Sequence, residues 1–473
     1  MISKVKVARV QDNMPARRIR WDAGTVKGRR FLVMGLASTG VSAASFLAKR
    51  GARVRATDLK PLEDLGGAAR ALEAMGVKIE AGGNPEDAFL NEDVIVVSPG
   101  VPFRHPLLEL ARSKGAEVIS DVELAFRFTD SPVVAVAGTN GKSTTTELLG
   151  RIFMDSGKKV FVGGNIGTPA IEEAESGRTV ELSVLEISSF HLETTKTFNP
   201  RVGILLNVTE DHLDRYSGFD EYAETKFRLF ENQTPSDFAV VNSGDPVIAR
   251  RLEKGLPGKG RVLRFSVYGS LGEGLFLRGS DIVFRAGGEE EAYPTGRFRL
   301  KGLHNHENIM SAIAAARLMG VERDDVQRTL EAFEGLSHRM EFVREKDGVT
   351  YIDDSKGTNI GSLAMALRGL KGPVVLIAGG RDKGGDYRTL SEDIRGKVRL
   401  MILLGEARFK MKEALGTLAS TALAGSMEEA VTLAHEKARP GDTVLLCPAC
   451  SSFDMFRSYR ERGERFSSLV RSL

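Results

Sequence analysis

Residues 132–144 read PVVAVAGTNGKST, an apolar run of strand length that leads directly into a glycine-rich turn. A helical pattern over 145–154 follows, so the sequence predicts a strand, a loop and a helix in that order. Such a loop points backbone N–H groups at phosphate oxygens, and the N-terminus of the helix adds positive potential. Lys142 would neutralise the β- and γ-phosphates, and Ser143 or Thr144 could ligate Mg²⁺.

The loop departs from the general phosphate-loop pattern at one position, where Val136 stands in place of a glycine. A chance turn is therefore the alternative, although the strand before the loop and the helix after it favour binding of a nucleoside triphosphate. No asparagine in the chain is followed by lysine, so the N-K-x-D signature of guanine-specific GTPases is absent. The sequence therefore favours ATP over GTP.

A β-α-β unit is predicted near the start of the chain. Residues 30–35 form an apolar run ending in glycine, residues 41–50 read as a helix, and residues 52–58 alternate like a second strand. Asp58 lies 23 positions after Gly35, a spacing that suits a carboxylate hydrogen-bonded to a ribose hydroxyl. The turn reads G-x-x-x-x-G rather than G-x-G-x-x-G, which favours a nucleotide-type ligand without specifying NAD.

The rest of the chain continues the alternation of strands and helices. Strands are predicted at 94–97, 182–187, 202–207, 373–378, 399–404 and 443–447, a helix at 426–438, and a β-rich segment at 261–300. Strands that alternate with helices imply parallel sheets, so the predicted fold class is α/β.

Composition excludes several classes of protein. Of the 473 residues, 42% are hydrophobic and 27% charged, which is ordinary for a globular protein and excludes wholesale disorder. No apolar run approaches the roughly 18 residues that a membrane-spanning helix needs. Cys447 and Cys450 cannot build a disulfide framework, and their C-x-x-C is interpreted as a turn because no second pair completes a zinc site.

The positive charge is concentrated at the N-terminus. Residues 1–30 hold nine Lys or Arg against two Asp, a net charge of +7, which leaves −4 for the rest because the total is +3. The segment lacks the apolar centre of a secretory signal. A nucleic-acid-binding or membrane-surface arm is one interpretation, but a solvated extension that activity does not require is favoured.

Acidic residues follow two predicted strands of the central segment. Glu186 ends an apolar strand, where a lone carboxylate is costly unless it meets a cation, and residues 207–214 hold three acids and His212. Carboxylate oxygens suit Mg²⁺, and a neutral imidazole can join them. A metal role is favoured for Glu186 and His212, whereas a solvated helix N-cap cluster is favoured for Asp211 and Asp214.

Lys226 is unusual because the predicted helix at 219–230 places it in the apolar stripe with Tyr222 and Phe230. A lysine in that position must extend its ammonium group to solvent, pair with a partner, or be modified. Periodicity alone favours extension to solvent.

Charged loops also follow strands in the last third of the chain. Residues 351–359 combine acid, base, hydroxyl and amide groups, residues 379–385 form a glycine-rich loop carrying Lys383, and Arg339 is a further candidate cation. Because parallel sheets bind ligands at the carboxyl ends of their strands, these loops together predict a ligand site.

Eight motifs, in chain order, resemble those of the Mur ligase family: GTNGKST, GGNIG at 163–167, LEISSFHLE at 185–193, NVTEDHLDR at 207–215, HNHEN at 304–308, HRME at 338–341, DDSKGTN at 353–359 and CPACSSFD at 447–454. The resemblance covers residues 30–473. It implies an α/β fold of three domains after a basic extension at 1–29. These are a Rossmann-like uridine-nucleotide domain at 30–121, a P-loop ATPase-type domain at 122–335, and a Rossmann-like domain at 336–473 that binds D-glutamate and ATP.

The resemblance further implies a monomeric enzyme of the bacterial cytoplasm that adds D-glutamate to UDP-N-acetylmuramoyl-L-alanine. ATP, with two Mg²⁺ ions, would convert the terminal carboxylate of the substrate into an acyl phosphate, which the amine of D-glutamate attacks. The physical chemistry agrees, because a carboxylate is a poor electrophile and two anionic reactants and a triphosphate need neutralising. Neither a nucleic-acid partner nor stable membrane insertion is implied.

Roles follow from the resemblance by position. Catalytic roles fall to Lys142, Glu186, His212 and Lys226, the last as a carbamylated lysine, and the metal ligands would be Ser143, Glu186, His212 and Lys226. ATP would contact Gly138, Thr139, Asn140, Gly141, Lys142, Ser143 and Thr144, with Asn308 at the base, Arg339 at the phosphates and Asp354 at the ribose. The uridine substrate would contact Ser38, Thr39, Asp58, Ser98 and Asn165. D-Glutamate would contact Lys356, Thr358, Lys383, Ser452 and Phe453, with Tyr459 as a nearby aromatic residue.

Two other functions are alternatives. A folylpolyglutamate synthetase shares the ATP machinery, but such ligases normally begin at the P-loop domain and lack the first β-α-β unit. A nucleotide-binding regulator without catalysis would leave Glu186, His212 and Lys226 unexplained.

Overall fold

The computed structural model describes residues 19–165, 167–176, 179–213, 215–370 and 372–473. Most of the predicted basic extension and Asp214 lie outside the described residues. The chain divides into two compact units. The first comprises 1–208, 222–297 and 307–331, and the second comprises 209–221, 298–306 and 332–473.

The N-terminal part of the first unit is a five-stranded parallel sheet with the order β3-β2-β1-β4-β5. Its elements are α1 Ala23–Val26, β1 Arg30–Met34, α2 Ser38–Lys49, β2 Arg53–Asp58, α3 Leu62–Ala74, β3 Lys78–Ala81, β4 Val94–Val97, α4 Pro106–Ser113, β5 Glu117–Ser120 and α5 Asp121–Phe128. The predicted β-α-β unit is therefore confirmed as β1, α2 and β2. Chain connections leave β1 and β4 in opposite directions, which opens a crevice at their carboxyl ends.

A nine-stranded sheet completes the first unit, with the order β14-β13-β12-β11-β10-β9-β6-β8-β7. Its elements are β6 Val133–Ala137, α6 Lys142–Asp155, β7 Val160–Gly164, α7 Ile171–Glu175, β8 Leu182–Glu186, α8 Ser189–Leu192, β9 Val202–Leu205, α9 Phe219–Phe227, β10 Phe238–Asn242, α10 Pro246–Lys254, β11 Arg261–Ser266, β12 Gly274–Arg278, β13 Asp281–Ala286, β14 Glu289–Pro294, α11 Leu303–Leu318 and α12 Arg323–Ala332. Only the pairs β12–β13 and β13–β14 of the described strands in this sheet are antiparallel, and they form the predicted β-rich segment.

The second unit contains a six-stranded sheet with the order β15-β16-β20-β17-β18-β19, parallel except for the pair β15–β16. Its elements are β15 Glu341–Lys346, β16 Val349–Asp353, α13 Ile360–Gly369, β17 Val374–Gly379, α14 Ser391–Ile394, β18 Val398–Leu404, α15 Arg408–Leu415, β19 Ser420–Leu423, α16 Met427–Lys437, β20 Thr443–Leu446 and α17 Tyr459–Ser472. Apolar side chains of its strands and helices form buried clusters on both faces.

Burial explains why the apolar runs become strands. Every residue of β6 and of β17 is buried, as expected for central strands of a parallel sheet covered on both faces. Gly40 illustrates the tight first turn, since a β-carbon there would lie 1.8 Å from the carbonyl oxygen of Gly35. Within the described residues, no helix combines the length and apolar character required to span a membrane.

Within residues 19–29, Trp21 and Val26 are buried although most of their neighbours are exposed, which corrects part of the expectation that the N-terminal extension is solvated. Trp21 is only 8% exposed, and its ring packs edge-on against Phe31 and Phe128 at centroid distances of 6.0 and 6.1 Å. The guanidinium of Arg127 lies 4.5 Å from the Trp21 ring centroid, and the backbone N–H of Trp21 donates to the backbone carbonyl of Arg127. Through the Trp21 ring, this segment packs against the five-stranded sheet and helix α5.

Candidate active site

The glycine-rich loop between β6 and α6 is held by Asn207, which follows β9. Its side-chain Oδ1 accepts the backbone N–H groups of Thr139 (3.1 Å) and Asn140 (2.8 Å), and its Nδ2 donates to the Asn140 carbonyl (3.1 Å). Helix α6 begins at Lys142, inside the loop motif, after Gly141 in the left-handed conformation (φ 85°). The loop is thus fixed by an adjacent strand, with a helix N-terminus facing the position where phosphates would bind.

Two lysines converge on one carbonyl of this loop. Lys142 Nζ donates to the carbonyls of Gly138 (2.9 Å) and Thr139 (2.7 Å), and Lys226 Nζ also donates to Gly138 (2.9 Å). Lys226 is 2% exposed and its ammonium lies 4.6 Å from the ring centroid of Tyr222. The prediction that Lys226 extends its ammonium group to solvent was therefore wrong. The loop carbonyl and the aromatic ring provide the buried partners that helical periodicity could not reveal.

Glu186 and Asn165, predicted separately, lie together. Glu186 ends β8, is 2% exposed, and its Oε1 accepts the Asn165 amide at 2.8 Å. Strand β8 pairs with β6, so this carboxylate lies at the carboxyl edge of the sheet beside the strand that carries the phosphate loop. Ser143, the predicted metal-ligating hydroxyl, is buried in the first turn of α6. Hard oxygen donors of this kind are suitable Mg²⁺ ligands.

Asn308 packs directly against the phosphate loop. A β-carbon on Gly141 would lie 2.2 Å from Asn308 Oδ1, so only glycine permits this approach. The preceding residue, Glu307, accepts a hydrogen bond from the Asn242 side-chain amide at 3.0 Å. Burial is the main cause that raises the pKa of Glu307 to about 7, and Asp245 acts in the same direction.

Four of the five residues predicted for the uridine substrate lie at the carboxyl edge of the five-stranded sheet, whereas Asn165 lies beside Glu186 at the nine-stranded sheet. Ser38 and Thr39 begin α2, and the Ser98 hydroxyl donates to the Gly35 carbonyl at 2.7 Å. The Asp58 carboxylate accepts the backbone N–H groups of Leu36 (2.6 Å) and Lys60 (2.9 Å). The acid therefore also shapes the turn, a role that its position at a strand end did not reveal.

In the second unit, β16, β20 and β17 are neighbours, so the loops that follow them meet at one edge. These loops carry the predicted ligand residues Asp354, Lys356, Thr358, Lys383, Ser452 and Phe453. Lys356 Nζ lies 5.1 Å from the ring centroid of Tyr459. Ser452 is buried, whereas Phe453 is 65% exposed.

Arg462 ties two of these loops together from α17. Its guanidinium donates to the Ser355 hydroxyl (3.0 Å), the Ser355 carbonyl (2.8 Å) and the carbonyls of Cys450 and Ser451 (3.3 Å). Burial lowers the pKa of Arg462 to about 10, a value at which it still carries its charge at neutral pH. Each bonded residue is next to, or two positions from, a predicted D-glutamate residue, so Arg462 sets the spacing of the loops.

Asp211 is not part of a solvated cluster, contrary to expectation. Its side chain is 10% exposed, its Oδ1 lies 3.5 Å from Lys383 Nζ, and its Oδ2 accepts the Asn359 amide at 3.1 Å. These partners are distant in sequence, which is why local pattern gave no sign of them. The neighbouring His212 has a left-handed backbone (φ 53°) and its Nε2 lies 3.7 Å from Asp211 Oδ2.

Arg339 lies between His338 and Met340, both of which have positive φ (61° and 48°). His338 Nδ1 is 2.7 Å from Asp353 Oδ2, and the Met340 N–H donates to Asp354 Oδ1 at 3.2 Å. Strained backbone held by buried side chains is typical of functional loops.

Asp354 is buried, and burial raises the pKa of its carboxyl to about 6 although the Cys447 thiol, Arg339 and the Met340 N–H oppose that shift. The Cys447 thiol donates to Asp354 Oδ2 at 3.1 Å. Both cysteines are buried free thiols in the turn after β20, which confirms that this C-x-x-C is a turn. Burial raises the pKa of Cys450 to about 11.

Several site residues were missed from the sequence, namely Asn207, Tyr222, Glu307 and Arg462. Asn207 is the last residue of the strand predicted at 202–207, where the sequence drew attention only to the acids and His212 that follow. Arg462 and Glu307 lie on helices, where charged residues are ordinarily solvated, so no sequence signal distinguished them.

Three family models match the chain. They are described as "Mur ligase MurD-like, N-terminal domain" at residues 29–120, "Mur ligase middle domain" at 136–316, and "Mur ligase, glutamate ligase domain" at 338–450.

Curated relatives extend over almost the whole chain. The UDP-N-acetylmuramoylalanine–D-glutamate ligase of Geotalea uraniireducens is 50% identical over 445 residues, covering 94% of this chain and 98% of the relative. The enzyme of the same name from Pelotomaculum thermopropionicum is 44% identical, with 94% and 98% covered.

Among solved structures, the MurF ligase of Thermotoga maritima in complex with ADP matches with a TM-score of 0.58 at 17% identity, covering 97% of this chain and 100% of the other. A pseudomurein peptide ligase of Methanothermus fervidus matches with a TM-score of 0.58 at 20% identity, with 94% and 100% covered. These structures confirm the predicted three-domain α/β fold.

Proposed function

Because this chain belongs to the Mur ligase family, we propose that it uses ATP to join D-glutamate to UDP-N-acetylmuramoyl-L-alanine in peptidoglycan precursor synthesis. The observation that carries this function is the 50% identity, over 94% of the chain, to a ligase named for the same reaction. A folylpolyglutamate synthetase would not account for the N-terminal five-stranded sheet. A nucleotide-binding regulator without catalysis would not account for the similarity to relatives that are named as ligases.

The chemistry proceeds in two steps. A carboxylate oxygen of the substrate's terminal alanine attacks the γ-phosphorus of ATP, and the bond to the β-phosphate oxygen breaks to release ADP and leave an acyl phosphate. The amine of D-glutamate then attacks the acyl carbon, loses a proton, and expels inorganic phosphate as the amide forms. Phosphorylation is needed because an ionised carboxylate is a poor electrophile.

We assign the phosphate contacts to the loop at 138–144. Lys142 already lies against this loop, and rotation of its flexible side chain would bring the ammonium to the β- and γ-phosphates. The charge that develops on the transferring phosphoryl group is stabilised by the loop N–H groups and this ammonium.

The oxygen donors at the carboxyl edge of the nine-stranded sheet are suited to binding Mg²⁺. Ser143 and the buried carboxylate of Glu186 supply hard oxygen ligands, and Asn165 orients that carboxylate through its amide. An ammonium group cannot ligate a cation, so Lys226 would contribute only as a carbamate, whose two oxygens bear negative charge. Two ions, with His212 as a further ligand, remain our proposal; when bound, they would neutralise the triphosphate.

We assign recognition of D-glutamate to Lys356, Lys383, Thr358, Ser452 and Phe453, because the two lysines match the two carboxylates of the amino acid. The Lys383 ammonium already lies 3.5 Å from the carboxylate of Asp211 in the second unit, which supports this assignment. Arg339 and Asp354 are assigned to the phosphates and ribose of ATP, and Ser38, Thr39, Asp58 and Ser98 to the uridine diphosphate. We further propose that the enzyme acts as a monomer in the bacterial cytoplasm, where ATP is available.

Release of ADP by the purified full-length chain tests this function. We expect release only when ATP, Mg²⁺, UDP-N-acetylmuramoyl-L-alanine and D-glutamate are all present, and not when L-glutamate replaces D-glutamate. Release of ADP with L-glutamate but not with D-glutamate would exclude the proposed reaction. Equal release of ADP when the uridine substrate is omitted would exclude it as well.

A further inference from the structure

The order of strands in the nine-stranded sheet indicates how ATP would lie along the carboxyl edge of that sheet. The phosphate loop follows β6, Glu186 ends β8 on one side, and β9 and then β10 lie on the other side. The proposed role of Glu186 as a metal ligand places the γ-phosphate on that side of the loop, so the nucleoside would extend toward β9 and β10. Neighbouring strands are about 4.8 Å apart, so the end of β10 lies roughly 10 Å from that of β6, a distance comparable to that from the phosphates to the base.

Glu307 is fixed at this end of β10. Its Oε1 accepts the Asn242 amide at 3.0 Å, and Asn242, the last residue of β10, is itself held because its Oδ1 accepts the Gly244 N–H at 2.9 Å. Asn308, the next residue of α11, packs on Gly141 of the phosphate loop. One turn of α11 therefore contacts both the phosphate loop and the end of β10.

We propose that Glu307 is a specificity-determining residue for the nucleotide, whose carboxyl group recognises the amino edge of adenine beside Asn308. This inference rests on the proposed function, because it requires ATP at the phosphate loop.

The chemistry of the carboxyl group matches adenine. Adenine offers a donor at its N6 amino group beside acceptor ring nitrogens, whereas guanine and hypoxanthine carry an acceptor oxygen at that position. A protonated carboxyl group offers one acceptor and one O–H donor, which is the complementary pair. Burial and the carboxylate of Asp245, at the N-terminus of α10, both favour the protonated form, and the Asn242 amide opposes it.

Two substitutions separate recognition from structure. Glu307→Gln keeps an acceptor for Asn242 and permanently presents a donor and an acceptor, so it should retain the wild-type ratio of kcat/KM for ATP to that for ITP. Glu307→Ala removes both groups and should lower this ratio about tenfold, the scale of one or two hydrogen bonds. The exposed Glu253 on α10 provides the matched control, because Glu253→Ala should leave the ratio unchanged.

The pH dependence supplies a second readout that a merely structural role would not change. In the wild type, the KM for ATP should rise as pH increases through about 7, because Glu307 loses its proton there. That rise should be absent in Glu307→Gln.

The inference is overturned if Glu307→Ala keeps the ATP-to-ITP ratio within twofold of the wild type, or if Glu307→Gln lowers it as far as Glu307→Ala does. Calorimetric binding of ADP and IDP to the same proteins measures the same preference without ligation. A wild type that binds ADP selectively but forms no amide would refute the proposed function and leave the role of Glu307 intact.

Discussion

The phosphate loop of the first unit and the ligand loops of the second are built differently. The phosphate loop is one contiguous segment, braced through its backbone by Asn207 and closed by a helix N-terminus. The loops after β16, β17 and β20 come from distant parts of the chain and are joined by long-range contacts. The buried Arg462 bonds to the loops after β16 and β20, and backbone hydrogen bonds between Arg381 and Ser451 join the loops after β17 and β20. The proposed phosphate contacts therefore come from one contiguous segment, whereas the proposed amino-acid contacts require three segments that long-range contacts bring together.

Loss of Lys226 should have the largest effect on the phosphate-loop side. Lys226→Ala removes the group that reaches Gly138 from α9, and we expect kcat to fall at least about a thousandfold, as for loss of a key electrostatic contact. Short carboxylic acids should partly restore activity if the native residue is a carbamate. Lys254→Ala, at an exposed position of α10, is the control; full activity in untreated Lys226→Ala would refute this role.

The second-largest effect is expected from loss of the Asn207 side chain that holds the phosphate loop. Asn207→Ala leaves the N–H groups of Thr139 and Asn140 without their side-chain acceptor, and we expect the KM for ATP to rise about 10- to 100-fold, equivalent to roughly 1–3 kcal/mol. The KM for D-glutamate should change little. Steady-state kinetics with each substrate varied in turn measures both, and an equal rise in the two constants would contradict the separation of the regions.

A substitution on α17 tests the ligand loops of the second unit in the same way. Arg462→Lys cannot reproduce the planar set of donors to Ser355, Cys450 and Ser451, so the KM for D-glutamate should rise about tenfold. The KM for the uridine substrate should stay the same. Arg465→Lys on the same helix is the matched control, since that side chain is half exposed and pairs with Glu428. An unchanged KM for D-glutamate would show that the loops keep their spacing without Arg462.

A smaller effect is expected from pH at Asp354. Its folded-state pKa of about 6 means that the carboxylate, the better acceptor for ribose hydroxyls, is present above pH 6 and is lost as the pH falls below it. The KM for ATP should therefore rise several-fold between pH 7 and pH 5. Asp354→Asn should raise the KM at pH 7 and abolish this part of the pH dependence; a wild-type profile that is flat over this range would contradict the assignment.

The smallest effect on activity should come from the N-terminus. Deletion of residues 1–18 should leave kcat and thermal stability unchanged. Deletion of 1–29 also removes Trp21 from Phe31, Phe128 and Arg127, and should lower the free energy of unfolding by about 3–5 kcal/mol. Denaturant unfolding of both truncated proteins tests this, and equal stability would show that the Trp21 packing contributes nothing.

The contrast also explains what the sequence could predict. The phosphate loop, the largely parallel sheets and the position of Glu186 at a strand end follow from short contiguous patterns, because strand-loop-helix order and apolar periodicity are local. The state of Lys226 and the pairing of Asp211 with Lys383 depend on residues far away in the chain, so periodicity and composition pointed to solvent in both cases. The burial of Arg462 likewise depends on loops about 100 residues earlier.

Mass spectrometry of the uridine-linked product tests the central claim most directly. The full-length protein would be incubated with ATP, Mg²⁺, UDP-N-acetylmuramoyl-L-alanine and either enantiomer of glutamate. We predict a product heavier by one glutamate residue with D-glutamate, formed in equal amount to ADP, and none with L-glutamate. Formation of ADP with the uridine substrate unchanged in mass, or addition of L-glutamate in preference to D-glutamate, would contradict the account.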